Sequence, residues 1–327
     1  MARELTYLEA IREALFEEMR RDDKVFVLGE DVGVYGGAFG ITKGLYEEFG
    51  EYRCLDTPIS ESCIIGVSVG ASLRGYRPVA EMQFGDFITC GFDQIVNQAA
   101  TLRYRYGGRA ACPLVVRAPV GGNVAGGLYH SQNPESWFVH RPGLKVVAPS
   151  TPWDAKGLLK AAIRDDNPVI YLEHKYLYRR AKGPVPEGDE IVPIGQAAIR
   201  REGRHATLVT YGAMVLPAVE AGNRLSAEGV ETEVIDLRSL SPWDKDTVFA
   251  SVDKTNRVVI VHEAVKTLGM GAEISATIME ERFDSLDAPV MRVTYPDAHS
   301  PFSAVLEQHN LPNADKIVEA IRRLVAY

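Results

Sequence analysis

The sequence predicts an α/β protein with two domains, each built on a mainly parallel sheet flanked by helices. Short continuous apolar runs alternate with segments of helical periodicity, which is typical of strands that are buried on both faces. The alternation stops once, between residues 173 and 195, and then resumes. With 327 residues, 46% of them hydrophobic, the chain is long enough for two domains with separate cores.

The first series of elements predicts a domain over residues 1–180. Thr6 and Glu9 form a capping-box pattern, which marks the start of a helix. The apolar face of this helix comprises Leu8, Ile11, Leu15 and Met19. Strands are predicted at residues 25–28, 78–82, 114–116, 145–148 and 169–172, with another ending near Asp56, and helices at residues 64–73, 92–105 and 152–164.

A linker over residues 181–195 and a second domain over residues 196–327 follow. The linker prediction rests on the glycines and prolines that replace periodicity there. In the second domain, strands are predicted near residues 206–210, 232–236, 257–262 and 290–294, and helices near residues 214–227, 271–283 and 314–325.

Composition excludes several classes of function. A net charge of −8 and a pI near 5.5 argue against a nucleic-acid surface. No run of 18 apolar residues could span a bilayer and the N-terminus lacks a signal pattern, so we expect a cytoplasmic protein without a membrane segment. The four cysteines lack metal-ligand spacing and lie in apolar segments, which predicts reduced core residues: Cys54, Cys63, Cys90 and Cys112.

Glu61 stands where a buried strand ends and an apolar, small-residue helix begins. Because burial of an unpaired carboxylate is costly, this position predicts a partner. One interpretation is a helix N-terminus capped by Ser60 or Thr57, with Glu61 favoured by the helix dipole. The other is that Glu61 exchanges a proton with a bound heterocycle from a dry pocket.

Three glycine-rich segments could hold a phosphate. Residues 29–40 follow a strand, but they do not have the spacing of a dinucleotide fingerprint, and Glu30 and Asp31 put two negative charges at the place of the pyrophosphate. Residues 121–127 contain no lysine, which excludes a Walker loop, and they are better explained as shaping the approach to His130. Residues 269–272 are most simply a tight turn.

His130 follows a strand end on a polar loop, where α/β sheets place their ligands. It is either an ordinary surface histidine or a group that shuttles protons near neutral pH.

Six collinear segments together carry a resemblance to a known family: residues 28–33, 56–61, 80–84, 92–98, 129–132 and 142–147. They resemble the beta subunit of the thiamine-diphosphate-dependent decarboxylating component of 2-oxo acid dehydrogenase complexes. The resemblance covers essentially the whole chain. It implies a transketolase-like fold, with a pyrimidine-binding domain followed by a C-terminal transketolase domain.

The resemblance also implies site residues. The carboxylate that matches Glu61 hydrogen-bonds the aminopyrimidine of thiamine diphosphate, and His130 matches a histidine that assists protonation and acyl transfer to lipoamide. By the same correspondence, the cofactor is lined by Glu30, Ile59, Ser60, Gln83, Phe87, Ile88, Thr89 and Cys90. The substrate is lined by Phe84, Gly85, Asp86 and Phe87 together with His130. Some relatives have proline at the position of Cys90, which leaves the size of the substrate open.

A structural potassium site is implied in pyruvate-type relatives. Its oxygen ligands match Leu114, Ala162, Ile163, Asp165 and Asn167. Exposed carbonyls at a helix C-terminus suit a hard cation, although an ordinary helix exit before Pro168 explains the same residues.

The chain contains no Gly-Asp-Gly motif, which members of this class use to hold Mg²⁺ and diphosphate. The resemblance therefore implies an alpha subunit that carries the Mg²⁺ ligands, an α2β2 heterotetramer, an isolated chain that is inactive, and docking to the dihydrolipoyl acyltransferase core of the complex. Two alternatives stay open: an acetoin dehydrogenase beta subunit, favoured by Gly85-Asp86-Phe87-Ile88-Thr89, and a non-catalytic assembly subunit on the same fold.

Overall fold

A computed structural model describes residues 3–327, which form two compact units. The N-terminal unit comprises the chain up to Val120 together with Trp137–Ile194. The C-terminal unit comprises Gly121–Ser136 together with Gly195–Tyr327. The structural division thus differs from a single boundary at the linker, because the segment with His130 belongs to the C-terminal unit.

The N-terminal unit contains a parallel sheet and a separate antiparallel pair of strands. The strands are β1 (Arg3–Thr6), β2 (Val25–Gly29), β3 (Cys54–Asp56), β4 (Arg77–Glu81), β5 (Val115–Val120), β6 (Lys145–Val147), β7 (Val169–His174) and β8 (Lys182–Val185). The α-helices up to residue 194 are α1 (Tyr7–Arg21), α2 (Leu45–Phe49), α3 (Glu61–Leu73), α4 (Ala100–Arg105), α5 (Glu135–Val139) and α6 (Pro152–Arg164). Within this unit the parallel strands lie in the order β6-β7-β5-β4-β2-β3, and β1 pairs with β8 in antiparallel fashion.

Side-chain caps fix the starts of the two long helices that pack together, α1 and α6. Thr6 accepts a hydrogen bond from the Glu9 backbone, and Glu9 accepts one from the Thr6 backbone at 2.8 Å, which confirms the capping box. At α6, Thr151 accepts from the Asp154 backbone and Pro152 occupies the first turn, where its missing N–H costs nothing. The apolar face predicted for α1 is buried.

The C-terminal unit has a mixed sheet in the order β14-β13-β10-β11-β9, in which only β9 runs antiparallel to its neighbour. The strands of the C-terminal unit are β9 (Ala198–Arg201), β10 (Ala206–Thr210), β11 (Thr232–Asp236), β12 (Ser239–Ser241), β13 (Val258–Val265) and β14 (Met291–Tyr295). Its helices are α7 (Val215–Ser226), α8 (Lys245–Thr255), α9 (Met270–Arg282), α10 (Ala304–Asn310) and α11 (Ala314–Leu324). The two-domain α/β prediction is confirmed. None of the helices formed by residues 3–327 is long and apolar enough to cross a membrane.

Arg117 lies fully buried between two carboxylates on the neighbouring strands of the N-terminal sheet. It donates to Glu81 on β4 and to Glu173 on β7, each at 2.5 Å, and the Tyr178 hydroxyl donates to Glu173 at 3.0 Å. Burial raises the pKa of Glu173 to about 7, although Arg117 opposes this shift. The guanidinium therefore joins β4, β5 and β7 near their carboxyl ends.

We predict that Arg117→Met lowers the free energy of unfolding of the N-terminal unit by about 3–5 kcal/mol, because two buried carboxylates then face each other without a cation. Urea unfolding of the full chain measures this change. Arg103→Met is the matched control, since Arg103 is exposed on α4. An equal effect of the two substitutions would contradict a special role for the buried arginine.

Candidate active site

The three parallel strands β2, β3 and β4 carry most of the predicted site residues just beyond their carboxyl ends. These strands are neighbours in the order β4-β2-β3 and end at Gly29, Asp56 and Glu81. Since parallel strands end at the same edge of a sheet, the segments that follow them emerge together. Glu30, residues 59–61 and residues 83–90 are therefore brought to one edge of the N-terminal unit.

Glu61 is the first residue of α3, and its side chain is partly exposed. The carboxylate is therefore not buried by residues 3–327, as the argument from the cost of burial assumed, because the first turn of α3 extends from the sheet edge and burial begins at Ile64 and Ile65. Neither Ser60 nor Thr57 donates or accepts a capping hydrogen bond through its side chain. Among residues 3–327, no group hydrogen-bonds the Glu61 carboxylate, which leaves it able to bind a ligand.

Glu30 is a second carboxylate at this edge and, unlike Glu61, it is buried. Its pKa is raised by burial and by the negative charges of Glu61 and Asp31. Gln83 donates from its side-chain amide to Asp31 at 3.1 Å. The arrangement can hold a proton on Glu30 close to Glu61, which suits the binding of a nitrogen heterocycle.

Aromatic side chains form the adjoining surface. Phe84 makes edge contacts with Phe39 and Phe87, with ring centroids 5.4 and 6.1 Å apart. Phe84 and Phe87 are half-buried and can meet an aromatic ligand. A Cβ at Gly85 would lie 2.5 Å from Val120 Cγ1, so this glycine allows the turn that carries Phe87 to pack against β5.

The remaining residues of the turn Gly85–Gly91 differ in exposure. Asp86 and Ile88 are buried, and Ile88 has no exposed surface, whereas Thr89 and Cys90 are exposed. The turn packs on the start of α3, because a Cβ at Gly91 would lie only 3.2 Å from the Glu61 carbonyl oxygen.

All four cysteines are free thiols, but two of them are not core residues. Cys63 and Cys90 are exposed, since α3 turns one face outward and the Gly85–Gly91 turn lies at the surface. Cys54 and Cys112 are buried, and burial raises the pKa of these thiols to about 12 and about 11. The prediction of four core cysteines, made from their apolar sequence neighbours, is therefore wrong for Cys63 and Cys90.

His130 lies in the C-terminal unit, just after the helical turn Gly127–Tyr129, and is half-buried. The loop around it is closed by a backbone hydrogen bond from Gly121 to Gln132 at 2.9 Å. A Cβ at Gly126 would lie 2.8 Å from the Cβ of His130, so the glycine is needed for this close approach. The glycine-rich segment thus shapes the surroundings of His130.

The candidate potassium ligands lie at the opposite edge of the N-terminal sheet, since Leu114 and Asn167 come just before β5 and β7. Arg77 donates to the carbonyl oxygens of Ile163 and Asp165 at 3.0 and 3.1 Å. The Asp165 carboxylate bonds the Asn167 backbone N–H and the Lys145 ammonium. Two cationic side chains therefore already share the oxygens of this region. Residues 3–327 contain no group of three His, Cys, Asp or Glu side chains placed to hold a metal.

Residues 3–181 match the family of the transketolase pyrimidine-binding domain, and residues 195–317 match that of the transketolase C-terminal domain. The 2-oxoisovalerate dehydrogenase subunit beta of Bacillus subtilis (strain 168) is 48% identical over 324 residues, which cover 99% of both chains. The pyruvate dehydrogenase E1 component subunit beta of the same strain is 45% identical with the same coverage.

This chain belongs to the family of 2-oxo acid dehydrogenase E1 beta subunits. The chain is also similar to the acetoin:2,6-dichlorophenolindophenol oxidoreductase subunit beta of Cupriavidus necator. The two are 47% identical, and the match covers 99% of this chain and 98% of that subunit. The fold is confirmed by a solved structure, "Split gene transketolase, inactive beta4 tetramer", with a TM-score of 0.80, 24% identity and coverage of 98% of both chains.

Two further residues at this edge, Asp31 and Phe39, were not among the predicted site residues. Asp31 shares the electrostatic environment of Glu30, and Phe39 packs on Phe84. The acidic pair directly after β2 was a usable signal. Phe39 had none, because its contact joins residues 45 positions apart that only the fold brings together.

We predict that Glu61→Gln lowers the pKa of Glu30 towards its ordinary value, because the substitution removes a negative charge that disfavours ionisation of Glu30. Carboxyl ¹³C NMR of glutamate-labelled protein measures this pKa, with Glu30→Gln to assign the signal. If Glu30 titrates unchanged in the variant, the two carboxylates do not interact.

Proposed function

We propose that this chain is the beta half of a two-subunit enzyme that oxidatively decarboxylates a 2-oxo acid, pyruvate or a branched-chain acid, and transfers the acyl group to lipoyl groups. The observation that supports this most strongly is the Glu30 and Glu61 pair at the sheet edge of a chain that aligns over 99% of its length with such beta subunits. Retention of both Glu61 and His130 argues against a purely structural assembly subunit.

The pyrimidine end of thiamine diphosphate fits the residues at the carboxyl edge of the N-terminal sheet. Glu61 offers an accessible carboxylate without an internal hydrogen bond, Glu30 favours a bound proton beside it, and Phe84 and Phe87 offer ring faces. The other residues proposed to line the cofactor are Ile59, Ser60, Gln83, Ile88, Thr89 and Cys90, and those proposed for the substrate are Gly85 and Asp86. When bound, this cofactor supplies an electron sink for the loss of carbon dioxide from a 2-oxo acid.

The protein residues perform the proton steps in this proposal. Glu61 holds and returns a proton at the ring nitrogen, as a general acid–base group placed within hydrogen-bond reach of that atom does. His130 donates a proton or a hydrogen bond to the substrate oxygen and assists transfer of the acyl group to the lipoyl sulfur.

The diphosphate end does not fit this chain. Glu30, Asp31 and Glu61 would repel phosphate, and the sequence has no Gly-Asp-Gly motif for Mg²⁺. We therefore propose that an alpha subunit holds Mg²⁺ and the diphosphate, that the enzyme is an α2β2 heterotetramer, and that the isolated beta chain is inactive.

Two further features of the proposal concern location and partners. Acidic side chains outnumber basic ones in residues 195–327, which suits docking to a basic segment of a dihydrolipoyl acyltransferase core. We also propose a cytoplasmic location. The proposed domains are a pyrimidine-binding domain over residues 1–180, a linker over residues 181–195 and a C-terminal domain over residues 196–327. Binding of nucleic acid or membranes is not part of the proposal.

Acetoin is the second candidate substrate. Residues 85–89 have the sequence Gly-Asp-Phe-Ile-Thr, and the acetoin relative is 47% identical, close to the 48% of the 2-oxoisovalerate relative. A difference of one methylene in an apolar pocket changes binding by only about 1–3 kcal/mol, so a substrate panel decides between them.

We predict that Glu61→Gln, in the chain coexpressed with its alpha partner, reduces decarboxylation by about 10²–10⁴-fold, because a general acid–base group is lost. The assay uses a panel of 2-oxo acids and acetoin with an artificial electron acceptor. Cys63→Ser is the control, an exposed neighbour on the same helix with no assigned role. Activity of Glu61→Gln within threefold of the unmodified pair would refute the proton role, and activity of the beta chain alone would refute the two-subunit proposal.

Potassium is proposed to bind carbonyl and side-chain oxygens of Leu114, Ala162, Ile163, Asp165 and Asn167. We predict a Tm about 2–4 °C higher in KCl than in choline chloride at equal ionic strength, since ligand binding stabilises the folded state. Asp165→Ala should abolish the difference. Equal Tm values in the two salts would mean that Arg77 and Lys145 satisfy these oxygens without an ion.

A further inference from the structure

The loop that carries His130 is held by two buried glutamates of the C-terminal unit. Glu307 on α10 accepts hydrogen bonds from the backbone N–H groups of Asn123 and Ala125, each at 3.0 Å and each on a different carboxylate oxygen. Glu263 on β13 accepts from the Gly122 backbone at 2.6 Å and from the Asn133 side chain at 3.0 Å. The two carboxylates thus bind the loop on both sides of His130 in the sequence.

The geometry at Gly122 shows how closely the glutamates approach the backbone. A Cβ at this position would lie 3.0 Å from an oxygen of Glu307 and 3.4 Å from an oxygen of Glu263. Both glutamates are buried, with 1% and 7% of their surface exposed. Four N–H donors of the loop therefore converge on two buried carboxyl groups, which gives the loop backbone a well-defined position.

Two residues of this loop have a left-handed backbone conformation. Asn123 and Ala125 have φ angles of 64° and 54°, in the left-handed region that residues with a Cβ disfavour. Val124 between them is exposed, so this conformation does not serve to bury an apolar side chain. Backbone strain held by surrounding contacts is typical of sites that need a fixed geometry.

We propose that Glu263 and Glu307 are positioning residues that hold the loop of residues 121–133, and through it the His130 side chain, in the orientation needed for acyl transfer. The inference rests on the proposed function of His130. Neither glutamate is proposed to touch substrate or cofactor. They act by binding four N–H donors of the loop. Without these hydrogen bonds the loop would sample several conformations.

The test is Glu307→Gln in the coexpressed alpha–beta pair, because an amide keeps the shape but turns one acceptor oxygen into a donor that faces a backbone N–H. We expect acyl transfer to a lipoyl domain to fall at least tenfold through kcat, and decarboxylation measured with an artificial electron acceptor to fall by a smaller factor. In a His130→Ala background the same substitution should change acyl transfer less than twofold. Glu319→Gln, at an exposed position on α11, is the control.

Hydrogen exchange provides a readout that is independent of activity. The amides of Gly122, Asn123 and Ala125 should exchange at least tenfold faster in Glu307→Gln, and Glu263→Gln serves as the second variant if the first does not fold. Unchanged exchange, or an equal loss of acyl transfer with and without His130, would overturn the positioning role. If the unmodified pair shows no acyl transfer, the proposed function fails, and exchange still decides whether the glutamates hold the loop.

Discussion

The buried ion pairs of Arg117 with Glu81 and Glu173 constrain the carboxyl ends of β4, β5 and β7 in the N-terminal sheet. One guanidinium joins three neighbouring strands, and its two carboxylates lie at or near the last residues of β4 and β7. Buried charges of this kind contribute little net stability, but removal of one partner is costly. The consequence is a fixed starting point for Gln83 and Phe84, which follow β4, and for the turn Gly85–Gly91 after them.

That fixed edge carries mostly negative charge, which determines what it can bind. Asp31 and Glu61 lie close enough to Glu30 for their negative charges to raise its pKa. A heterocycle with nitrogen donors gains from such carboxylates, whereas a diphosphate is repelled by them. The proposed division of the cofactor between two chains therefore has an electrostatic reason in this chain.

Local patterns predicted the elements with strong periodicity or caps, such as α1 with its Thr6 and Glu9 box and the strand at residues 206–210. The short edge strand β9 was missed because Ala198–Arg201 has half-exposed arginines and no apolar alternation. The helix expected over residues 92–105 contains a wider, π-helical turn at Gln94–Ala99. The exposure of Glu61 could not be predicted either, because it depends on how far the first turn of α3 extends beyond the sheet.

The surroundings of His130 could not be predicted from the sequence either. In the sequence, Glu263 and Glu307 look like ordinary acidic positions, and they lie about 130 to 180 residues from the loop that they bind. Their role arises only when the fold buries them against backbone N–H groups that have no other strand or helix to join. A carboxylate can accept several such donors at once, so a short, strained loop acquires a single conformation without a core of its own. Fixed geometry of this kind favours a reaction step that depends on orientation more than on binding strength.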